Sequence, residues 1–254
     1  MSFSSTRGVI TLNRPEKLNP LGTVTLTELA DAARLFDSRH EVKVVTVRGR
    51  GRSFCAGADL AAFSTGDGSA LSASAQREAA DAGRTMAEAI ESMRAVTVAA
   101  LHGHCVGGGL VLAAACDLRV AADDTYFSIP EVDLGIPLAW GGIPRLVREI
   151  GPAMTKELVM TCRPFTATEA RAAGFLNRVV PAADLDASVE ALVGQLESKS
   201  LLTLSATKRH VNAVSEGMVA TARAWNDADS LVTALRDPES RAVAAAYLNH
   251  LRST

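Results

Sequence analysis

Three short segments of this 254-residue chain carry residue types able to do chemistry on a carbonyl group. The first, Phe54-Cys55-Ala56-Gly57-Ala58-Asp59-Leu60, follows a β-branched run with three small residues. They let the backbone turn sharply and bring an N–H group close to a ligand, an approach bulky side chains would block. The second, His102-Gly103-His104-Cys105-Val106-Gly107-Gly108-Gly109-Leu110, sets three glycines between an apolar run and a helix-forming one. Free N–H groups at such a helix start suit a developing oxyanion. The third, Ile129-Pro130-Glu131-Val132-Asp133-Leu134-Gly135-Ile136-Pro137, puts the Glu131 carboxylate among apolar neighbours in a Pro-bounded loop. That placement favours a raised pKa and proton transfer. Plainer readings stand beside these: a turn without function, and a solvated loop glutamate.

Competing chemistries find less support. His102-x-His104 could suggest a metal, but no second His or carboxylate cluster sits at ligand spacing, and alternation along a strand would send the two imidazoles to opposite sides. We expect no metal. The triple glycine is neither G-x-G-x-x-G nor a P-loop, and no G-x-S-x-G elbow occurs. Lys208, Arg209 and His210 read as a solvated helix face or a phosphate contact.

The elements that must position these segments follow from hydrophobic periodicity. Strands are expected at Val9 to Asn13, Val42 to Arg48, Val96 to Leu101, Leu118 to Ala121, Tyr126 to Ser128 and Leu176 to Val180. Helices are expected from Thr23 to Arg39, Ala75 to Met93, near Gly108, Pro152 to Thr161 and Thr166 to Ala173. Ser64 to Ser74, small and polar, reads as a flap beside a pocket. Beyond Ala182 every strong pattern is helical: Ala182 to Ser198, Leu201 to Ala213, Met218 to Leu235 and Pro238 to Leu251. The expectation is an α/β part over residues 1–180 and a helical part over 181–254.

With 48% hydrophobic and 21% charged residues the chain can bury a sizeable core, and a formal charge of −2 gives no general basic surface for nucleic acid. The N-terminus lacks the features of a secretory or transit peptide, and no run approaches the ~18 uncharged apolar residues of a membrane span. Four cysteines without C-x-x-C spacing read as buried reduced thiols. The expected setting is therefore the cytoplasm, with no membrane partner.

In their order and spacing, the FCAGADL loop, the GGG turn opening a helix that ends in Cys116-Asp117, and the PE-x-x-L-G loop resemble the crotonase (enoyl-CoA hydratase/isomerase) family. The likeness runs from ITLNRPEKLNPL through Cys162 to the AxxAxxAGFLNRVVP passage. It implies an α/β fold, a spiral of ββα units with a helical C-terminal region, assembled as a homotrimer or homohexamer. It also implies an acyl-CoA substrate, with coenzyme A entering as the thioester carrier and no separate cofactor. By this resemblance the N–H groups of Ala58 and Gly108 form an oxyanion hole, where two preorganised donors contribute ~3 to 4 kcal/mol each. The adenosine end of CoA is expected near Asn13 to Leu18 and Phe54 to Ala56, with Lys17 as a phosphate contact. Ala56, Gly57, Asp59, Gly107, Val111 and Trp140 are the other expected substrate contacts.

One position departs from the pattern. Hydratases of the family use two glutamates, one three residues after the middle glycine and one twenty residues later. Here those positions hold Val111 and Glu131. Syn addition of water needs groups that deprotonate the water and return a proton, and a valine does neither. Moving a double bond from C3 to C2 needs one carboxylate, and isomerases resembling this family use a single glutamate at the second position. The sequence thus favours a single-base 3-enoyl-CoA to trans-2-enoyl-CoA isomerase. Behind it stand a hydratase whose missing acid is replaced by Asp133 or another group, and an acyl-CoA binding protein with little turnover.

Overall fold

The computed structural model describes residues 1–59, 72–224 and 226–253. Nine strands and nine helices occur among them. The strands are β1 (Ser2–Phe3), β2 (Arg7–Leu12), β3 (Val44–Gly49), β4 (Val96–Leu101), β5 (His104–Val106), β6 (Leu118–Ala122), β7 (Tyr126–Ser128), β8 (Phe165–Thr166) and β9 (Arg178–Val180). The helices are α1 (Thr23–Ser38), α2 (Ala73–Ser92), α3 (Gly108–Ala114), α4 (Gly142–Thr161), α5 (Ala167–Ala172), α6 (Leu185–Glu197), α7 (Leu201–Met218), α8 (Asp227–Ala234) and α9 (Pro238–Ser253). One sheet runs β1-β2-β3-β4-β6-β9, parallel except at β1, and a smaller one runs β5-β7-β8. This is the crotonase-type spiral of the α/β class; from β4 onward the chain passes between the sheets, β5 and β7 entering the smaller one and β6 and β9 returning to the larger.

The central strands VVTVRG and VTVAAL are nearly continuous apolar runs because both faces of the sheet are covered. Side chains alternate between two cores: Val45, Val47, Ala99 and Leu101 enter the main one with α1 to α3, while Val44, Val98, Ala100 and Val120 face α6. Helix α6 meets them with Leu185, Val189, Leu192 and Val193, a single stripe at helical spacing. From α7, the buried Lys208 reaches Ala95 O at 3.0 Å and Asp117 at 2.7 Å, so it ties helix to sheet and is not the solvated residue the sequence suggested. All four cysteines are buried and free. Among the described residues no helix is long and apolar enough to cross a membrane.

Several boundaries differ from expectation for identifiable reasons. The loop punctuation after Pro137 hides the first half of α4, which starts at Gly142, carries Pro144 in its first turn, and is interrupted at Gly151 (φ 76°). The single helix expected from Met218 to Leu235 is broken: α7 runs on to Met218, a 3-10 turn spans Thr221–Ala224, and α8 begins at Asp227. Strand β5 lies between Gly103 and Gly107, whose loop punctuation masks it. Most of the Ser64 to Ser74 flap lies outside the described residues; Ser72 N-caps α2, its hydroxyl accepting from Ala75 N–H at 3.2 Å. In the C-terminal region Leu231 is buried within its own chain and Trp225 lies outside the described residues. Helix α7 instead exposes Leu202, Val211, Val214 and Met218.

Candidate active site

The site forms where three loops are stitched together by backbone hydrogen bonds. Phe54 and Cys55 run parallel to the start of β5: Phe54 N–H donates to His102 O (2.8 Å), Cys55 N–H to His104 O (2.9 Å), and Val106 N–H to Cys55 O (3.0 Å). On the other side, Leu21 N–H donates to Gly57 O (2.8 Å) and Asp59 N–H to Leu21 O (3.0 Å). In such a parallel bridge the partners belong to the residues flanking Ala58, so the Ala58 N–H points the opposite way. Gly57 has φ +100°, and a methyl group on it would lie 3.2 Å from Val106 O and 3.9 Å from Gly108 N. The turn after β5 is therefore pressed against the turn after β3.

Gly107 N–H donates to Ser128 O (3.0 Å), which fixes the first glycine of the triple to the other strand of the small sheet. Gly108 then opens α3 with an N–H that has no intrahelical acceptor. Among the described residues neither Ala58 N–H nor Gly108 N–H has a partner. Two neighbouring backbone donors left free in a packed region are what an oxyanion requires.

Glu131 reaches the same turn from the loop after β7. Ile136 N–H closes that loop on Glu131 O at 2.9 Å. The carboxyl lies over Gly107 (φ +49°), where any side chain would overlap Oε1. The residue as a whole is only half-buried, but Oε2 is sealed from solvent and has no hydrogen-bond partner among the described residues. Burial pushes the carboxyl up to about 7 from its ordinary 4.5, opposed only by a hydrogen bond from its own backbone N–H. A carboxyl that titrates near neutrality beside two free donors is equipped to move a proton.

The remaining expected residues divide clearly. Val111 is fully buried, its γ-methyl packed towards Gly142, so no acid stands at the first glutamate position. Asp133 is exposed and lies beside the Cys162 thiol. Trp140 is wedged between Gly108 and Gly83 of α2; a Cβ on either glycine would overlap its indole. Asp59 pairs with Arg14 at 2.8 Å, and Ala56 N–H donates to Leu18 O at 2.9 Å. Lys17 is exposed on a 3-10 turn. The imidazoles do not face opposite sides: His102 hydrogen-bonds Gly51 O (2.9 Å) and His104 the Ser53 hydroxyl (3.0 Å), because the bend at Gly103 (φ +57°) turns both onto one loop.

Sequence reasoning missed the buttress Asn19, whose buried amide donates to Ser53 O (2.9 Å) and Arg50 O (3.0 Å). Its left-handed backbone (φ 56°), which asparagine tolerates, follows Leu18 in the same region (φ 61°). The LNPLG string was the available signal. Gly83, a lone glycine inside a helical pattern, similarly marks the close approach of Trp140.

Fold and site together bring two unpartnered backbone N–H groups, of Ala58 and Gly108, beside a carboxyl oxygen sealed from solvent. Residues 3–252 match the family described as Enoyl-CoA hydratase/isomerase, and the chain belongs to that family. It is 37% identical over 211 residues (83% of this chain, 78% of the other) to a crotonyl-CoA hydratase of Syntrophomonas wolfei. It is 34% identical over 233 residues (85% and 82%) to a peroxisomal Delta(3,5)-Delta(2,4)-dienoyl-CoA isomerase of Arabidopsis thaliana. A crystal structure of an enoyl-CoA hydratase from Mycobacterium avium subsp. paratuberculosis superposes with a TM-score of 0.85 at 26% identity, over 96% of each chain. The protein is thus an acyl-CoA enzyme whose relatives include both hydratases and isomerases.

Proposed function

We propose that this enzyme shifts the double bond of a 3-enoyl-CoA to give the trans-2-enoyl-CoA, with Glu131 as its single base. The observation that carries this reading is the pairing of a sealed, unpartnered Glu131 carboxyl with a buried valine at position 111. Glu131 removes a proton from C2; the electrons of that C–H bond form C1=C2 while the carbonyl π pair moves to the thioester oxygen, giving a dienolate whose oxyanion takes hydrogen bonds from Ala58 and Gly108. The protonated Glu131 then delivers its proton to C4: the oxyanion re-forms C1=O, the C1=C2 pair becomes C2=C3, and the C3=C4 pair takes the proton. No atom is gained or lost, and one carboxyl is sufficient. Lys17 and the 54–56 turn would hold the CoA end, while Trp140 would wall the acyl end beside Gly108. The assembly is proposed as a trimer or hexamer in the cytoplasm.

A hydratase remains the second reading because a relative at 37% identity carries that name. Running the reaction in deuterated water separates the two. Single-base transfer carries part of the original C2 hydrogen to C4 in the 2-enoyl product. Formation of 3-hydroxyacyl-CoA as the main product, or complete washout of that hydrogen in the first turnover, contradicts it.

A further inference from the structure

Trp140 sits on Gly108, one of the two free donors, and its backbone is left-handed (φ 61°), as is that of Gly141 (φ 71°). A non-glycine residue in that region is strained, and the strain persists only where surrounding contacts hold it. Those contacts come from three helices. Gly141 N–H donates to Asp227 Oδ2 of α8 at 2.8 Å, and Gly141 O accepts from Arg145 Nη1 at 3.1 Å. Arg145, fully buried, is in turn fixed through Nη2 to Glu91 of α2 at 2.5 Å. The Gly141 peptide is therefore gripped at both its N–H and its C=O, and a Cβ on Gly141 would overlap Arg145 Nη1. The indole itself rests on the small apolar group of Ile136, Ala139 and Leu231.

We infer that Asp227 and Arg145 are positioning residues for the acyl-thioester site: they clamp the Gly141 peptide and so hold the Trp140 ring against the oxyanion donor Gly108. The inference rests on the isomerase reading only for which reaction is timed. Its geometry assigns to α8, 86 residues from Gly141 in sequence, a part in the chemistry as well as in packing. Losing the Asp227 acceptor lets the strained turn relax, the indole lift from Gly108, and water reach the donor. The charge of Asp227 is not the point; its oxygen is. Asparagine keeps that oxygen and alanine removes it.

The test compares Asp227→Ala with Asp227→Asn in a Trp225→Phe background, where Trp140 is the only tryptophan left. With Asp227→Ala we expect kcat to fall about 10-fold while KM for the CoA ester stays within about 2-fold, the mark of displaced geometry rather than lost binding. Tryptophan emission should shift to the red. Asp227→Asn should restore both kcat and emission to near the parent values. Unchanged emission and kcat in Asp227→Ala overturn the clamp, and so does an equal loss in Asp227→Asn. Should the alanine variant fail to fold, Asp227→Ser, polar but too short to reach Gly141, takes its place in the same comparison. Emission needs no turnover, so a parent protein inactive on both enoyl-CoA isomers defeats the isomerase reading while the emission shift still decides the clamp.

Discussion

Replacing Glu131 by glutamine separates the stability cost of this carboxyl from its chemical use. In the folded protein the group titrates near 7 instead of 4.5, because the charged form is shut away from water with no partner for Oε2. The unfolded chain releases that proton first. The folded state carries no penalty below the unfolded pKa, a growing one between the two values, and the full one above 7. A shift of roughly 2.5 units corresponds to about 3 kcal/mol, and partial water access to a half-buried residue reduces this to about 1–3 kcal/mol. Glutamine stays neutral throughout, and any misfit of its amide is independent of pH. The stability of Glu131→Gln relative to the parent should therefore rise by about 1–3 kcal/mol between about pH 4 and pH 8. Urea unfolding at fixed protein concentration measures it. In the same variant kcat should drop by about 10²- to 10⁴-fold with CoA-ester affinity retained, and the parent kcat/KM should climb with pH through about 7 as the base ionises. A stability difference that stays flat across this range refutes the sealed-carboxyl argument, and activity within a few-fold removes Glu131 from the mechanism.

Three further outcomes follow from the same geometry. Val111→Glu should be less stable than the parent by about 2–4 kcal/mol, since it buries an ionisable group where a methyl packs, and where it folds it should gain hydration of trans-2-enoyl-CoA, read as 3-hydroxyacyl-CoA formed. Gly107→Ala should lose about 10²-fold in kcat in steady-state kinetics, because its Cβ displaces the Glu131 carboxyl and strains a left-handed position. Light scattering at micromolar concentration should show a trimer or hexamer, with the exposed Val211, Val214 and Met218 of α7 available for contact; a stable monomer would contradict it.

The parts of the fold that sequence revealed are those with long, regular patterns. The run Val96–Leu101 and the helix from Thr23 stand as expected because two-sided burial and a single apolar stripe leave unmistakable periods. Elements set among glycines were hidden: β5 lies between Gly103 and Gly107, and the first half of α4 sits behind Trp140, Gly141 and Gly142. At the site, glycine spacing pointed to the turns and the apolar setting of Glu131 to its pKa, because both are local properties. What holds those turns is mostly not local. Asp227 reaches the Gly141 N–H from 86 residues away and Asn19 reaches Ser53 O from 34, contacts that only the finished fold brings together.

The most direct test gives one purified sample of unaltered protein both double-bond isomers in parallel. With Glu131 as sole base and Val111 in place of a second acid, 3-enoyl-CoA should convert to trans-2-enoyl-CoA at least about 10²-fold faster than trans-2-enoyl-CoA is hydrated, the scale of a missing acid–base group. Hydration that matches or exceeds isomerisation would contradict the single-base account and leave the enzyme a hydratase.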